Sequence, residues 1–325
     1  MIKLNEMKKY KVLIIGAGRI SSGYDNPNSR GVLTHCHALL NNNRFIVLGF
    51  YDSDFGIAKK AALKWNTKKF DSIEECRKAD PDIVLICTPD GVHAQYLDMV
   101  VEWRPKMVIC EKPLTNNLKE SIRIVSLYEL SSITLMVVYQ RRYDRDINTI
   151  RKKIISGEFG KFLTGTLLYS KGLLHNGSHG IDLLNFLFGE VMRCEFHSKR
   201  NDFNEFDPSI SARLTFECGD IILLNGDERS HSLFEVDLIF QNKRIKLLDS
   251  GFSIELHDIV PDPMFEGYRN LSRRLKRKST LNNSLAIMWD RVADSIDTGI
   301  SLPTSAREAL KTQIICNELT ILSAD

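Results

Sequence analysis

The chain has 325 residues, roughly twice the length of an ordinary domain of about 150 residues, which predicts two domains. Hydrophobic residues make up 43% of it and charged residues 26%, a globular composition that excludes a disordered chain. The formal net charge of +3 is too small to indicate a nucleic-acid partner by itself, although six of the ten residues 269–278 are basic.

Seven cysteines are scattered along the chain without a C-x-x-C pair. This pattern is typical of reduced thiols and argues against both a disulfide framework and a metal site. The longest apolar runs, such as residues 133–139, are far shorter than the ~18 residues of a transmembrane helix, and the first ten residues lack a signal-peptide pattern. We therefore expect a cytoplasmic protein with no membrane partner and no bound metal.

Short apolar runs alternate with helical patterns over the first 140 residues. The runs are rich in β-branched residues and bounded by Gly, Asp or Pro, which predicts buried parallel strands. They lie at residues 11–16, 44–52, 82–89, 106–113 and 131–139, and the helical patterns lie at 34–41, 56–65, 73–77, 93–103 and 118–130. The repeated β-α-β order predicts that residues 1–140 form a doubly wound parallel sheet with helices on both faces.

After residue 140 the pattern changes. A helix is predicted at 146–156, a strand at 162–170 and a compact helix at 179–188. Long alternating runs follow without intervening helices, at residues 191–199, 210–218, 220–228, 233–241, 243–250 and 253–259. Such runs predict a largely antiparallel sheet. With two closing helices at 285–297 and 305–322, residues 141–325 are predicted to be an α+β domain.

A glycine-rich segment, Gly16-Ala17-Gly18-Arg19-Ile20-Ser21, follows the first predicted strand. It matches the dinucleotide-binding fingerprint except that Ser21, a small residue, replaces the third glycine. Gly16 permits a tight turn, and Gly18 lets backbone amides approach a pyrophosphate at the start of a helical turn. We therefore expect the cofactor to contact Gly16, Gly18, Arg19 and Ile20.

Asp52 ends the second predicted strand, where a carboxylate would accept hydrogen bonds from an adenosine ribose. A carboxylate would also repel a 2′-phosphate, so NAD is expected rather than NADP. Asp52 lies farther from Gly16 than the usual ~20 residues, and the turn-rich insertion at 22–31 explains the excess. The alternative is that Asp52 only caps the loop that follows. Tyr24 and His35 flank the insertion and are weaker ligand candidates.

Two further segments lie at the carboxyl ends of predicted strands, where open α/β sheets bind ligands. The first contains Thr88, Pro89 and His93, and the second contains Glu111 and Lys112. A lysine directly after a buried strand is poorly explained as a solubilising charge, and the bond before Pro113 can be cis. We assign all five residues to the cofactor site, although a position in the first turn of its helix is the simpler explanation of His93.

The segment 175–182 opens an apolar helix, in which only His179 and later residues are securely helical because of Gly177. Asp182 is expected to cap or pair within its helix. Arg142 and Tyr143 follow the last strand of the first domain and are candidate substrate contacts. A buried arginine that anchors Asp144 or Asp146 is the alternative interpretation of Arg142.

The motifs GAGRI, TPDGVHA, EKPLT and GSHGIDLL occur in this order, and through them the chain resembles the glucose–fructose oxidoreductase/inositol dehydrogenase family over residues 10 to about 190. The resemblance implies a Rossmann domain and an α+β domain whose open sheet often mediates oligomerisation, so a homodimer or homotetramer is expected. Family members oxidise or reduce a secondary alcohol of a sugar, polyol or nucleotide sugar with NAD(P). Lys112 and His179 match the family's Lys and His, which implies that they are the catalytic residues.

The chemistry is consistent with this assignment, because oxidation of an alcohol needs a group that takes its proton, and a free imidazole titrates at about pH 6.5. One departure is evident. The family usually carries Asp four residues before the His, whereas this chain has His175. His175 and Asn176 could contact the substrate by hydrogen bonding, but the change is also compatible with ketone reduction, a different substrate or lost activity.

The leading hypothesis is an NAD-dependent oxidoreductase that acts on a sugar or a nucleotide sugar. A nucleotide sugar is attractive because the basic segment 269–278 could meet a diphosphate, although a solvated surface loop is the simpler explanation of that segment. The second hypothesis is a non-catalytic dinucleotide-binding sensor or partner subunit, favoured by His175. A nucleic-acid-binding module, the third, rests on the basic segment alone.

Overall fold

The computed structural model describes residues 9–227, 233–272 and 275–324. Residues 1–8, for which no signal peptide is predicted, and residues 273–274 of the basic segment lie outside the described residues, as do 228–232 and 325. Contacts divide the chain into two compact units. The first unit comprises the described residues up to Gln140 together with Asn282–Leu310, and the second comprises Arg141–Leu281 with the residues from Lys311 onward.

Within the described residues, the first unit contains a five-stranded parallel sheet. Its strands are β1 (Tyr10–Ile15), β2 (Phe45–Tyr51), β3 (Ile83–Ile86), β4 (Met107–Glu111) and β5 (Thr134–Val138), in the order β2-β1-β3-β4-β5. Consecutive residues of β3 are all buried, so both faces of the sheet are covered, as continuous apolar strands require. The predicted strands and their parallel pairing are confirmed.

Five helices alternate with these strands in the described part of the first unit: α1 (His35–Leu40), α2 (Phe55–Trp65), α3 (Ile73–Lys78), α4 (His93–Val101) and α5 (Leu118–Ser131). Four of them begin at polar residues whose side chains accept a backbone N–H of the first turn, namely Thr34, Asp54, Ser72 and Asn117. Each such cap stabilises a helix by about 1 kcal/mol. Local sequence therefore determines where these helices start.

The second unit begins with α6 (Arg145–Ile155) and contains α7 (Ser178–Phe188). In its described residues a nine-stranded sheet is formed by β6 (Phe162–Tyr169), β7 (Arg193–Asn204), β8 (Asp207–Phe216), β9 (Gly219–Asn225), β10 (Phe234–Phe240), β11 (Lys243–Leu248), β12 (Ser253–Pro261), β13 (Arg269–Leu271) and β14 (Leu275–Lys278). All pairings are antiparallel except that of β6 with β9. The large, mostly antiparallel sheet is thus confirmed.

The basic segment 269–278 was expected to be a surface loop, and the structure corrects this. Its described residues form β13 and β14, which both pair antiparallel with β12. Backbone pairing along β12 satisfies amide groups that a loop would leave to water, and the charged side chains can extend from an edge of a sheet.

Two helices follow, α8 (Ser284–Thr298) and α9 (Ala306–Leu322). α8 belongs to the first unit, where Trp289 is fully buried and its ring centroid lies 5.2 Å from that of Phe45. Arg44 at the start of β2 forms ion pairs with Asp294 and Asp297 of α8. A segment near the carboxyl end of the chain is therefore part of the amino-terminal unit.

Six of the seven cysteines are buried and Cys218 is exposed, and all seven are free thiols, as their scattered positions predict. Among the described residues, we find no helix with both the length and the apolar character needed to span a bilayer.

Candidate functional site

The glycine loop of residues 16–18 lies between β1 and the next helical turn. Gly16 has φ +94°, and a Cβ atom there would lie 2.5 Å from the backbone of Cys87, so only glycine fits. A Cβ atom at Gly18 would meet nothing within 4 Å. The first glycine thus allows close packing of the loop on the chain after β3, and the second borders open space of the kind that a pyrophosphate would occupy.

The turn after the loop, Arg19–Gly23, is a single π-helical turn. Ser21, at the third fingerprint position, is fully buried, as expected of a small packing residue, and its Oγ donates to the carbonyl of Gly18. The carbonyl of Ser22 accepts hydrogen bonds from Lys64 Nζ at 2.7 Å and Trp65 Nε1 at 3.0 Å. These two bonds from α2 hold the turn in place. Arg19 is exposed and Ile20 partly buried.

Asp52 connects the glycine loop to the end of β2. Its Oδ2 accepts from the amide of Ala17 at 2.8 Å, and its Oδ1 accepts from the amide of Asp54 at 2.9 Å. The carboxylate therefore has the capping role considered as the alternative. A carboxylate offers about four acceptor positions, so these two bonds leave capacity for ribose hydroxyls.

Thr88 and His93 follow β3. The Oγ1 of Thr88 is buried and has no hydrogen-bond partner among the described residues, so this hydroxyl is free to bond a ligand. His93 is the first residue of α4, as expected, and its ring is buried. It lies between two carbonyl oxygens, that of Thr88 at 2.8 Å and that of Pro113 at 2.9 Å. His93 therefore joins the loop after β3 to the loop after β4. Pro89 is exposed.

Glu111 is the last residue of β4 and Lys112 follows it, and the Lys112–Pro113 peptide bond is cis. Lys112 is half-buried. One carboxylate oxygen of Glu111 lies 2.9 Å from Nε2 of the buried His35, and the indole N–H of Trp289 donates to Nδ1 of the same ring at 3.2 Å. Because an indole N–H can only donate, the ring proton must be on Nε2 and donate to Glu111. Trp289 and His35 thus orient Glu111 beside the lysine.

The insertion after the glycine loop is anchored by a buried carboxylate, Asp25. It accepts hydrogen bonds from the amide of Leu33 at 2.6 Å and from the hydroxyl and amide of Thr34, and it lies 2.8 Å from Nδ1 of His37. Burial opposes ionisation of Asp25, but the bonds from Thr34, Leu33 and His37 outweigh it and lower its pKa. Tyr24, next to it in sequence, is 57% exposed.

These observations test whether the first unit can hold a dinucleotide. Open space at Gly18 and the unsatisfied hydroxyl of Thr88 both fit one. The sequence singles out Gly16, Gly18 and Thr88 as candidates, and their role in binding stays a prediction, whereas it gives no sign of Asp25 or Trp289. No local pattern could reveal Trp289, because its partner His35 lies 254 residues away along the chain.

The second unit places His179 as the second residue of α7, half-exposed, after a π-helical turn Leu173–Gly177. His175, on that turn, is exposed and stacks on Phe203 with ring centroids 4.6 Å apart. The carboxylate of Asp207 accepts from the amide of His175 at 2.8 Å. Asn176 donates its side-chain amide to the carbonyl of Ser170. The β7–β8 hairpin, which supplies Phe203 and Asp207, therefore holds this turn.

Arg142 is buried and forms an ion pair with Asp182 of α7, at 2.8 Å from Nη2 to Oδ1. It is thus an anchoring arginine, but its partner differs from the two that the sequence suggested. Asp144 caps α6, and Asp146 pairs with Arg277. Tyr143 is buried as well.

Comparison with known sequences agrees with this geometry. Residues 10–139 match the profile of an oxidoreductase family with an NAD-binding Rossmann fold. Inositol 2-dehydrogenase of Corynebacterium glutamicum (strain R) is 32% identical over 179 residues, which cover 53% of this chain and 48% of the relative. The chain thus spans about half the length of the curated relatives that it matches first.

Solved structures extend the likeness of the fold to nearly the whole chain. An oxidoreductase of Desulfitobacterium hafniense has a TM-score of 0.81 at 16% identity, covering 97% of this chain and 96% of that one. The WlbA dehydrogenase of Bordetella pertussis, in complex with NADH and UDP-GlcNAcA, has a TM-score of 0.75 at 17% identity, covering 98% and 97%. Residues 10–139 thus match the profile of this oxidoreductase family, the sequence likeness to inositol 2-dehydrogenase covers about half of the chain, and the likeness over nearly the whole chain is one of fold.

Proposed function

We propose that the protein is an NAD-dependent oxidoreductase that interconverts a secondary alcohol and its ketone on a sugar, with a nucleotide sugar or related polyol as the substrate class. The observation that carries the proposal is the carboxyl edge of the parallel sheet in the first unit. There the open space at Gly18 lies after β1, the unsatisfied hydroxyl of Thr88 lies after β3, and Glu111 and Lys112 lie at the end of β4. Ligands bind at this edge in open α/β sheets.

Gly16, Gly18, Thr88 and Asp52 would hold the dinucleotide, which supplies hydride transfer when bound. Two carboxylates at the end of β2 favour NAD over NADP. Asp52 would accept from the ribose, while Asp54 caps α2 by accepting from the amides of Gly56 and Ile57. A 2′-phosphate would meet both negative charges and find these amides already bonded.

His179 and Lys112 carry the proton chemistry in this proposal. His179 takes the proton of the substrate hydroxyl during oxidation and returns it during reduction, since an imidazole exchanges protons near neutral pH. Lys112 donates a hydrogen bond to the reacting oxygen and stabilises the charge that develops on it. Glu111, oriented by His35, keeps the strand end next to the lysine in one conformation. The family relatives named inositol 2-dehydrogenase, and the nucleotide-sugar complex of WlbA, support the substrate class.

A single-turnover assay at stoichiometric protein tests the proposal. NAD⁺, NADH and their phosphorylated counterparts are each mixed with myo-inositol, UDP-N-acetylglucosamine and free sugars, and nicotinamide absorbance is followed. We expect a burst of absorbance change with NAD(H). Its rate constant should fall about 10²- to 10⁴-fold in Lys112→Ala and His179→Ala, because general acid–base groups contribute factors of this size to the rate.

The controls are Lys119→Ala and His197→Ala, an exposed lysine and an exposed histidine that should retain the burst. Failure of NADH to bind the wild-type protein would contradict the cofactor assignment. A full burst in His179→Ala would contradict the assigned role of that residue.

A dinucleotide-binding protein without turnover is the second candidate. The position at which the family carries an acidic residue is His175, whose ring stacks on Phe203. Tight NADH binding without a burst from any member of the panel would favour this candidate.

A further inference from the structure

Arg141 is a buried cation that has no acidic partner among the described residues. The residue is 8% exposed, and its Nη2 donates to the backbone carbonyl of Ser250 at 3.0 Å. Its Nε is buried and unsatisfied, and no residue within the described ranges accepts from Nε or Nη1. A guanidinium has five donor hydrogens, so most of its hydrogen-bonding capacity is unused.

The neighbouring arginine shows how the same unit neutralises a buried guanidinium when it serves structure. Arg142 is buried to the same degree, yet both Nε and Nη2 donate to the carboxylate of Asp182. For Arg141, burial lowers the pKa to about 10, and the more distant carboxylates of Asp182 and Asp144 oppose this only in part. Arg141 is therefore still charged at neutral pH. Buried charges are normally paired, so the missing partner needs an explanation.

The surroundings of Arg141 are specialised. Its guanidinium carbon lies 3.9 Å from the centroid of the Phe234 ring, a cation–π contact that fixes the plane of the guanidinium group. The Ser250 carbonyl is presented by a turn in which Asp249, Ser250 and Gly251 all have positive φ. Two of these residues are not glycine, and such strained backbone is frequent at ligand-binding sites.

We propose that Arg141 binds an anionic group of the substrate, a carboxylate or a phosphate, so that the substrate is a charged sugar derivative rather than a neutral polyol. This inference rests on the proposed function and narrows its substrate class. A planar guanidinium group with unused N–H donors can bond two oxygens of a carboxylate or phosphate at once. The next residue in the chain, Arg142, pairs with Asp182, three residues after His179 on α7, so Arg141 lies in the same neighbourhood of the second unit as the proposed catalytic histidine.

Calorimetric titration with three matched probes tests this assignment: D-glucuronate, UDP-glucose and D-glucose. D-glucuronate carries a carboxylate and UDP-glucose a diphosphate on sugars of the same gluco configuration, and D-glucose is the neutral reference. Each probe is titrated into the wild-type protein, Arg141→Met and Arg141→Lys, with and without NAD⁺. Arg151→Met is the control, since Arg151 also stacks on a phenylalanine, Phe186, and donates to a backbone carbonyl.

We expect one anionic probe to bind the wild-type protein and to lose about 10- to 100-fold in affinity in Arg141→Met, the usual effect of hydrogen bonds to a charged group. Arg141→Lys should lose affinity as well, because lysine keeps the charge but lacks the planar guanidinium group with its paired N–H donors. D-glucose should bind all variants equally, and Arg151→Met should match the wild type. The probe that binds decides between carboxylate and phosphate.

Thermal unfolding distinguishes a ligand-binding arginine from a structural one. If Arg141 serves to bind an anion, its charge is unpaired in the protein without ligand. Arg141→Met then removes an unpaired buried charge and should unfold at the same or a higher temperature than the wild type. A lower unfolding temperature together with unchanged affinities would overturn the inference, as would the failure of both anionic probes to bind the wild-type protein. The titrations without NAD⁺ test Arg141 even if the cofactor does not bind, an outcome that would contradict the proposed function instead.

Discussion

At the scale of single residues, the first two glycines of the fingerprint, Gly16 and Gly18, are needed for different reasons. Gly16 is needed for the fold, because its φ is +94° and a Cβ would collide with the backbone of Cys87. Gly18 has φ −74° and faces open space, so nothing in the protein itself forbids a side chain there. A ligand that comes close to the backbone, as proposed above, would account for the second glycine.

This difference predicts opposite effects of two alanine substitutions. Gly18→Ala should unfold at the wild-type temperature but bind NADH at least about tenfold more weakly, because the added methyl occupies space near the pyrophosphate. Gly16→Ala should lower the unfolding temperature, because the backbone has to shift. Thermal unfolding and fluorescence titration with NADH measure the two effects. Equal NADH affinity of Gly18→Ala and the wild type would refute the assigned position of the pyrophosphate.

At the scale of elements, the insertion between the glycine loop and α1 is ordered by one carboxylate. Asp25 bonds to the cap residue of α1, Thr34, and to His37 within that helix. A single side chain thus fixes where the insertion ends and where α1 begins. The same helix carries His35, which orients Glu111. Disturbing Asp25 should therefore affect both stability and the lysine site.

Asp25 also predicts a pH dependence of stability. Its folded-state pKa is lowered, so its contribution is complete above the unfolded pKa of about 3.9 and is lost as the pH falls through the folded value. Asp25→Asn should reduce the free energy of unfolding by about 2 kcal/mol at neutral pH, and the difference from the wild type should shrink below about pH 4. Urea denaturation across pH measures both.

Asp71→Asn is a suitable control, because Asp71 is an exposed partner of Lys69 and should change stability by less than about 1 kcal/mol. A gap between Asp25→Asn and the wild type that stays constant down to pH 2 would contradict the account.

At the scale of the whole molecule, the first unit is discontinuous in sequence. Asn282–Leu310 returns to it, and α8 contributes the buried Trp289 and the acidic partners of Arg44. Ala306 and Ala309 at the start of α9 complete the same core that contains β3 and β4. The parallel sheet therefore lacks part of its covering when the chain ends at Gln140.

We predict that a fragment of residues 9–140 shows no cooperative thermal transition, because it exposes the surface that Trp289 covers, and removal of a buried tryptophan alone costs about 3–5 kcal/mol. A fusion of 9–140 to 282–310 through a flexible linker should unfold cooperatively. Circular dichroism against temperature distinguishes the two. A sharp transition of the short fragment near that of the full chain would show that α8 is dispensable.

Much of the fold is predictable from local pattern, since the parallel strands, the capped helices and the alternating runs of the second unit follow from residue periodicity and cap residues. Contacts between segments that are distant in the sequence cannot be predicted from local pattern. No local pattern indicates that α8 packs in the first unit or that Trp289 bonds to His35. The pairing of β13 and β14 with β12 was not predicted, because highly charged residues do not form the apolar alternation typical of a strand. The partner of Arg142 was missed for the same reason, because side-chain pairing depends on tertiary packing. The roles of Lys112 and His179 remain predictions.

The discontinuity of the first unit has a consequence for biosynthesis. Gln140 leaves the ribosome about 140 residues before Asn282, an interval of roughly 7–28 s at 5–20 residues per second. During that time His35 has no indole to set its tautomer, and Phe45 lacks its aromatic neighbour. We therefore expect the nascent amino-terminal segment to remain incompletely packed until α8 has been synthesised.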